Sequence, residues 1–155
     1  MTSKQAGNLY VIGQFALIIA LAVLPTPGDW SGTSPLGIVD TAVFGLGWLV
    51  LVTAIFNLGR SLTANPVPLE RATLKTGGLY ALVRHPIYLG LILISFAMAL
   101  KSESLLGGLL FLLLVVLLNF KASFEEKLLR AKFPEYADYA SRVGRLFPGV
   151  GRRKN

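Results

Sequence analysis

Residues 36–58 read LGIVDTAVFGLGWLVLVTAIFNL, 23 positions with a single ionisable side chain, Asp40, near the start. As a helix rising about 1.5 Å per residue, this stretch spans roughly 35 Å, enough to cross the hydrocarbon core of a bilayer. Working outward, residues 9–24 form a shorter apolar run interrupted by Gln14, which Ala6, Gly7 and Asn8 extend toward the interface. Two more apolar runs, 87–100 and 105–120, are separated only by Lys101-Ser102-Glu103-Ser104, and so short a polar connection implies an antiparallel helical hairpin. The expected fold is an all-α, polytopic membrane helical bundle with four spans, at about 8–24, 36–58, 87–100 and 104–120, plus a C-terminal cytoplasmic helical extension. A signal peptide is the competing reading of the first run, because Lys4 precedes it and Ala20-Leu21-Ala22 resembles a cleavage site.

Composition agrees with a lipid solvent. Of 155 residues, 54% are hydrophobic and 15% charged, where a soluble domain carries about 25% charged residues. The net charge of +7 suggests a nucleic-acid binder until its positions are sorted. Arg60, Arg71, Lys75 and Arg84 lie between the second and third runs, nine Lys or Arg follow Phe120, and Lys4 precedes the first run. Only Lys101 falls on the other side. The positive-inside rule then places both termini and the central loop in the cytoplasm, and a basic rim against anionic headgroups accounts for the charge without nucleic acid. With no cysteine and one histidine, His85, the chain has no disulfide, no thiol nucleophile and no multi-histidine metal cage.

Gly37, Thr41 and Gly45 recur every four residues and form a small-residue face that a helix of the same chain, or of a second copy in a homodimer, can approach closely. Tyr10 and Trp30 suit the interfacial belt, and Pro25, Pro27 and Pro35 keep the outer loop non-helical.

The chemistry concentrates in segments 60–90 and 121–148. Thr63-Ala64-Asn65-Pro66-Val67-Pro68 is a polar, proline-stiffened loop unsuited to lipid. Residues 74–90, LKTGGLYALVRHPIYLG, start an apolar helix at Arg84-His85-Pro86, and Pro86 fits the first turn, where its missing N–H costs nothing. The open N–H groups of that turn, with Arg84 and His85, suggest an anion site. Gly90 leaves room for a flat ligand to approach the backbone, and Tyr80 and Tyr88 offer aromatic faces to a purine or a sulfonium. The plainer reading is that Arg, His and Tyr anchor the helix to headgroups.

No helix breaker occurs between Leu105 and Pro134, so the fourth helix continues into the cytoplasm through Lys121, Glu125 and Glu126. Glu126 and Arg130 read as an i, i+4 pair on a solvated face. Glu125 shares a face with Lys121 and with Leu128 and Leu129, which turns it toward the protein. Beyond Pro134, Tyr136, Tyr139, Val143 and Phe147 suggest a short amphipathic helix covering the end of the bundle.

The run 74–90, the hydrophobic hairpin, Glu125-Glu126 and Phe133-Pro134-Glu135-Tyr136 with Tyr139 together resemble the isoprenylcysteine carboxyl methyltransferase family. Membrane phospholipid N-methyltransferases share much of this pattern. The resemblance covers about residues 59–148 and joins an RHP-x-Y-x-G element to a distant EE. It implies an enzyme that transfers methyl groups from S-adenosyl-L-methionine at the cytoplasmic membrane face to a lipophilic acceptor, foremost the carboxylate of an isoprenylcysteine-like substrate. It also implies that Leu74, Lys75 and Tyr80 contact the cofactor, that His85, Pro86, Ile87 and Tyr88 line its pocket, that Glu125 holds it, and that Arg84 orients the substrate or supports transfer. Lys121, one turn before Glu125, and Asn65 are added here as residues able to attract a substrate carboxylate or phosphate. Methyl displacement from a sulfonium needs positioning and exclusion of water, and no metal. Phospholipid N-methylation, a nicotinamide-dependent sterol-type reductase and a non-catalytic membrane protein are the alternative readings.

Overall fold

The computed structural model describes residues 2–27, 35–70 and 72–152; Trp30 and Arg71 therefore lie outside the described residues. Five α-helices follow in order: α1 Ser3–Ala22, α2 Pro35–Leu58, α3 Pro86–Lys101, α4 Leu105–Lys132 and α5 Tyr136–Arg142. Short 3-10 turns occupy Gly59–Ser61 and Gly78–Ala81, and the described residues contain no strand beyond one isolated parallel bridge, Val83 to Gly144.

Local chemistry sets the ends of these helices. α1 starts at Ser3 rather than near residue 8, because Thr2 and Gln5 form a reciprocal capping box. Pro35 opens α2 and Pro86 opens α3, both at positions where a missing N–H is harmless. The α3–α4 hairpin turns at Ser102–Glu103–Ser104, where Ser104 caps α4 by accepting the Gly107 N–H at 3.0 Å.

α1, α2 and α4 are long and apolar enough to cross a membrane. α3, with 16 residues, reaches only about 24 Å. The perimeter agrees with a lipid solvent: Ile12, Ile19, Leu49, Phe56, Leu105 and Leu113 are all more than half exposed, an arrangement suited to lipid and not to water. The hairpin expected from the four-residue connection is present, and α3 packs along α4 around Tyr88, Ile92, Ala99, Leu114, Leu118 and Ala122. α1 packs on α4 and α2 on α3.

Of the small-residue face, Gly37 is buried, but Thr41 and Gly45 do not make the close approach of α2 to α3. A Cβ on Gly45 would meet nothing within 4 Å, and Thr41 is exposed. Contact runs instead along Gly47, Leu51 and Ala54. A Cβ on Gly90 of α3 would lie 2.9 Å from the Gly47 carbonyl oxygen and from Leu51 N and Cβ. The face is offset because Gly90 supplies the matching gap in the partner helix, which the α2 sequence alone does not reveal.

Candidate active site

The N-terminal end of α3 is built from three distant parts of the chain. The backbone N–H groups of Arg84 and His85 donate to the carbonyls of Gly144 and Arg145 at 2.8 and 3.1 Å, drawing the C-terminal segment against the start of the helix. Arg84, 4% exposed, then uses all five of its side-chain N–H donors inside the protein. Nε and Nη2 donate to Glu126 Oε1 at 3.0 and 2.9 Å, Nη1 to the carbonyls of Ala140 and Val143, and Nη2 also to Gly151 O at 3.1 Å. Glu126 is 1% exposed and also meets His85 Nε2 and Arg145 Nε, each at 3.3 Å.

Two expectations are corrected here. Glu126 is not on a solvated face with Arg130 but is the buried centre of a cationic cluster. Arg84 has no donor left for a substrate, so its place is structural. The Arg84 and His85 side chains thus meet an anion that the protein supplies itself, Glu126, and their backbone N–H groups are already occupied by backbone carbonyls.

A second layer lies beside the first. The Tyr88 hydroxyl donates to Glu125 Oε2 at 2.6 Å, and His85 stacks flat on the Tyr88 ring, with centroids 5.1 Å apart and planes inclined by 2°. The Lys121 ammonium, 2% exposed as a residue, donates to Gln14 Oε1 on α1 at 2.7 Å and sits 5.1 Å from the Tyr88 ring centroid. That placement is a cation–π contact in a desolvated setting.

Glu125 stands between two spaces. One is a cup of about 80 Å³ lined by Leu74, Lys75, Tyr80, Phe133, Tyr136 and Tyr139, with the proline loop at Pro66 and Pro68 as its rim. The other is a largely apolar cleft of about 480 Å³. Gln14, Phe15 and Ile18 of α1 and Trp48, Leu51 and Ile55 of α2 flank the cleft, and Ile87, Tyr88, Leu91 and Ile94 of α3 line it further. Tyr80, Arg84 and Glu125 border both spaces, and His85 and Lys121 line the cleft.

Burial, with the Glu125 carboxylate adding to it, pushes the Tyr80 hydroxyl well above the usual phenol range, and burial does the same for Tyr136 and Tyr139. These phenols stay protonated. Tyr139 donates to the Tyr80 carbonyl at 2.5 Å, whereas the buried Tyr136 hydroxyl has no hydrogen-bond partner.

Most of the residues expected at the site thus converge: Leu74, Lys75 and Tyr80 on the cup, His85, Ile87, Tyr88 and Lys121 on the cleft, and Glu125 on both. Three do not. Pro86 is buried and lines neither space, and Gly90 is filled by α2, not by a ligand. Asn65 serves the loop: its amide donates to Lys4 O at 3.2 Å and Asn8 Oδ1 at 2.7 Å and accepts from Val67 N, which ties the loop to α1. Glu126, Arg145, Gln14 and the two tyrosines of α5 join the site without having been assigned to it. For Glu126 a signal existed, since Leu114, Leu118, Ala122 and Glu126 continue one buried i, i+4 stripe.

The family model for phospholipid methyltransferase matches residues 37–136, which run from α2 to the first residue of α5. A methanethiol S-methyltransferase of Pseudomonas deceptionensis is 32% identical over 158 residues, covering 92% of this chain and 59% of its own length. A second protein of the same name, from Pseudomonas sp. (strain GM41(2012)), is 32% identical over 163 residues, with 94% and 60% covered. The chain spans about three fifths of the length of these curated relatives. With nearly two thirds of its residues matched by the family model, the chain belongs to the phospholipid methyltransferase family of integral membrane proteins.

Proposed function

We propose that the chain is an S-adenosylmethionine-dependent methyltransferase that holds its cofactor in the cup and a small lipophilic acceptor in the cleft. The observation that carries this reading is the position of Glu125, a carboxylate shared by a polar, aromatic cup and an apolar cleft. The lining suits one end of such a cofactor, which is larger than the roughly 80 Å³ of the cup alone: the Tyr136 hydroxyl is buried without a partner among the described residues, and Tyr80, Phe133 and Tyr139 give the cup its aromatic walls. When bound, the cofactor supplies a methyl group on a positively charged sulfur.

The protein's part is to hold and orient. Tyr88 fixes Glu125, which accepts from the cofactor's ammonium or ribose hydroxyls, and Lys75 faces its carboxylate. Arg84 is a positioning residue that pins Glu126 and the C-terminal segment beneath the cup. In the cleft, the buried Lys121 ammonium favours an acceptor that reacts as an anion over one that carries an ammonium. The names of the relatives point the same way, to a thiol acceptor. A thiolate sulfur would form its bond to the methyl carbon as the methyl–sulfonium bond breaks, and apolar walls keep water out of the transfer. The same lining and lysine support an isoprenylcysteine-like carboxylate as the second reading. Acceptors would arrive from the bilayer between α1 and α2. With basic residues on one side, the cup and both termini face the cytoplasm.

The test is purified protein with methyl-labelled cofactor and three acceptors: a short alkanethiol, a farnesylated cysteine analogue and phosphatidylethanolamine. Label is expected in the thioether product first. No labelled product from any lipophilic acceptor, or binding of a nicotinamide cofactor instead, would overturn the reading.

A further inference from the structure

Lys101 closes α3 at the end opposite Pro86, about 24 Å from the cup along the helix. A separate cavity of about 340 Å³ lies there, bordered by Leu21 and Leu24 of the α1 end, Asp40, Thr41 and Phe44 of α2, and Lys101 with Ser102. Asp40 is only 7% exposed, and its Oδ1 is buried with no hydrogen-bond partner among the described residues. A carboxylate in that position costs several kcal/mol unless something compensates it. Lys101 lines the same cavity, yet the two close no ion pair among the described residues.

Of the three hydroxyls that line the cavity, those of Thr26, Thr41 and Ser102, the last two are already committed as donors. Thr41 donates to the Gly37 carbonyl and Ser102 to the Ala99 carbonyl, each at 2.8 Å. With Thr26 at the α1 end as the remaining hydroxyl, the cavity presents mostly acceptors around the carboxylate, and at Lys101 it presents a cation. A ligand that satisfies both carries N–H donors on a positive group at one end and an anionic group at the other. The apolar walls at Leu21, Leu24 and Phe44 suit an acyl chain. Lys101 disfavours a bare metal cation, and a quaternary ammonium has no N–H to give Asp40.

We infer that this cavity binds a zwitterionic headgroup bearing a primary ammonium and a phosphate, the ammonium at Asp40 and the phosphate at Lys101, with the lipid's chain along the apolar wall. The site is independent of methyl transfer, since neither Asp40 nor Lys101 borders the cup or the cleft.

Thermal unfolding of the detergent-purified full chain tests this, with added phosphatidylethanolamine, phosphatidylcholine or phosphatidylglycerol of identical acyl chains, and with soluble glycerophosphoethanolamine. Phosphatidylethanolamine is expected to stabilise more than the other two lipids. Asp40→Asn should weaken its binding by about tenfold or more, as expected for loss of a charge-assisted hydrogen bond, and leave cofactor affinity unchanged. Lys101→Gln, at an exposed position, should reduce the same preference and serves if Asp40→Asn fails to fold. A response to the soluble headgroup equal to that of the lipid supports the same ammonium site with a free zwitterion as its source. Equal stabilisation by all three lipids, or a phosphatidylethanolamine preference that survives both substitutions, overturns the inference.

Discussion

Two N–H groups of Arg84, Nε and Nη2, converge on a single oxygen of Glu126 at 3.0 and 2.9 Å, and both side chains are 1% exposed. Removing either partner leaves the other charge buried and uncompensated, at roughly 3–5 kcal/mol. Arg84→Ala and Glu126→Ala are expected to lower the thermal unfolding midpoint by similar amounts. The double variant Arg84→Met with Glu126→Leu should lose less than the sum of the two. Unaltered unfolding with activity abolished would return Arg84 to the chemistry.

Tyr88 and Glu125 should behave in the opposite way. Tyr88→Phe removes the hydroxyl that fixes the carboxylate, and Glu125→Ala removes the carboxylate itself, with most of the packing left in place. Each is expected to weaken binding of the cofactor or its demethylated product at least tenfold, about 1.4 kcal/mol, with little change in unfolding midpoint. Calorimetric titration in detergent measures both variants; wild-type affinity in both would remove Glu125 from the cofactor site.

Gly90→Ala places a methyl group 2.9 Å from backbone atoms of α2. Relieving that overlap requires the helices to separate, and overpacking of this kind costs about 1–3 kcal/mol. The midpoint should fall while the folded protein keeps its cofactor affinity. Loss of affinity at unchanged stability would show that Gly90 faces a ligand after all.

Lys121 makes a prediction about pH. The charged and titratable groups around the cleft are Lys121 and Glu125 on α4, His85 and Tyr88 at the start of α3, Tyr80 in the turn before it, and Arg84, whose charge is met by Glu126. An ammonium beside a thiol favours the thiolate and lowers the pH at which it forms. Lys121→Met should therefore move the rising limb of kcat/KM for an alkanethiol to higher pH, with cofactor affinity unchanged. An unshifted limb would limit Lys121 to holding Gln14 and Tyr88.

The apolar helices were legible because long apolar runs stand out whatever their partners. Residues 36–58 and 87–100 reappear within a residue or two as α2 and α3. The order of the two glutamates was harder. Lys121 and Glu125 do share an inward face, but Glu126 turns inward as well, at the end of the stripe through Leu114, Leu118 and Ala122. Its pairing with Arg84 spans 42 positions, and the other Arg84 partners lie up to 67 away, beyond any local periodicity. Gly90 shows a different limit: a helical glycine marks close approach by something, and only the packing shows that the neighbour is α2.

The tie between Arg84 and the C-terminal segment also orders the assembly of the molecule in time. The apolar runs 9–24, 36–58, 87–100 and 105–120 are synthesised before Val143, Gly144, Arg145 and Gly151, yet these residues supply the carbonyls that satisfy Arg84 and the N–H groups at the start of α3. During synthesis the helices can therefore reach the bilayer while the aqueous side is still incomplete. Only the stretch from Ala140 to Gly151, folding back from the water, ties a set of inserted helices together at Arg84.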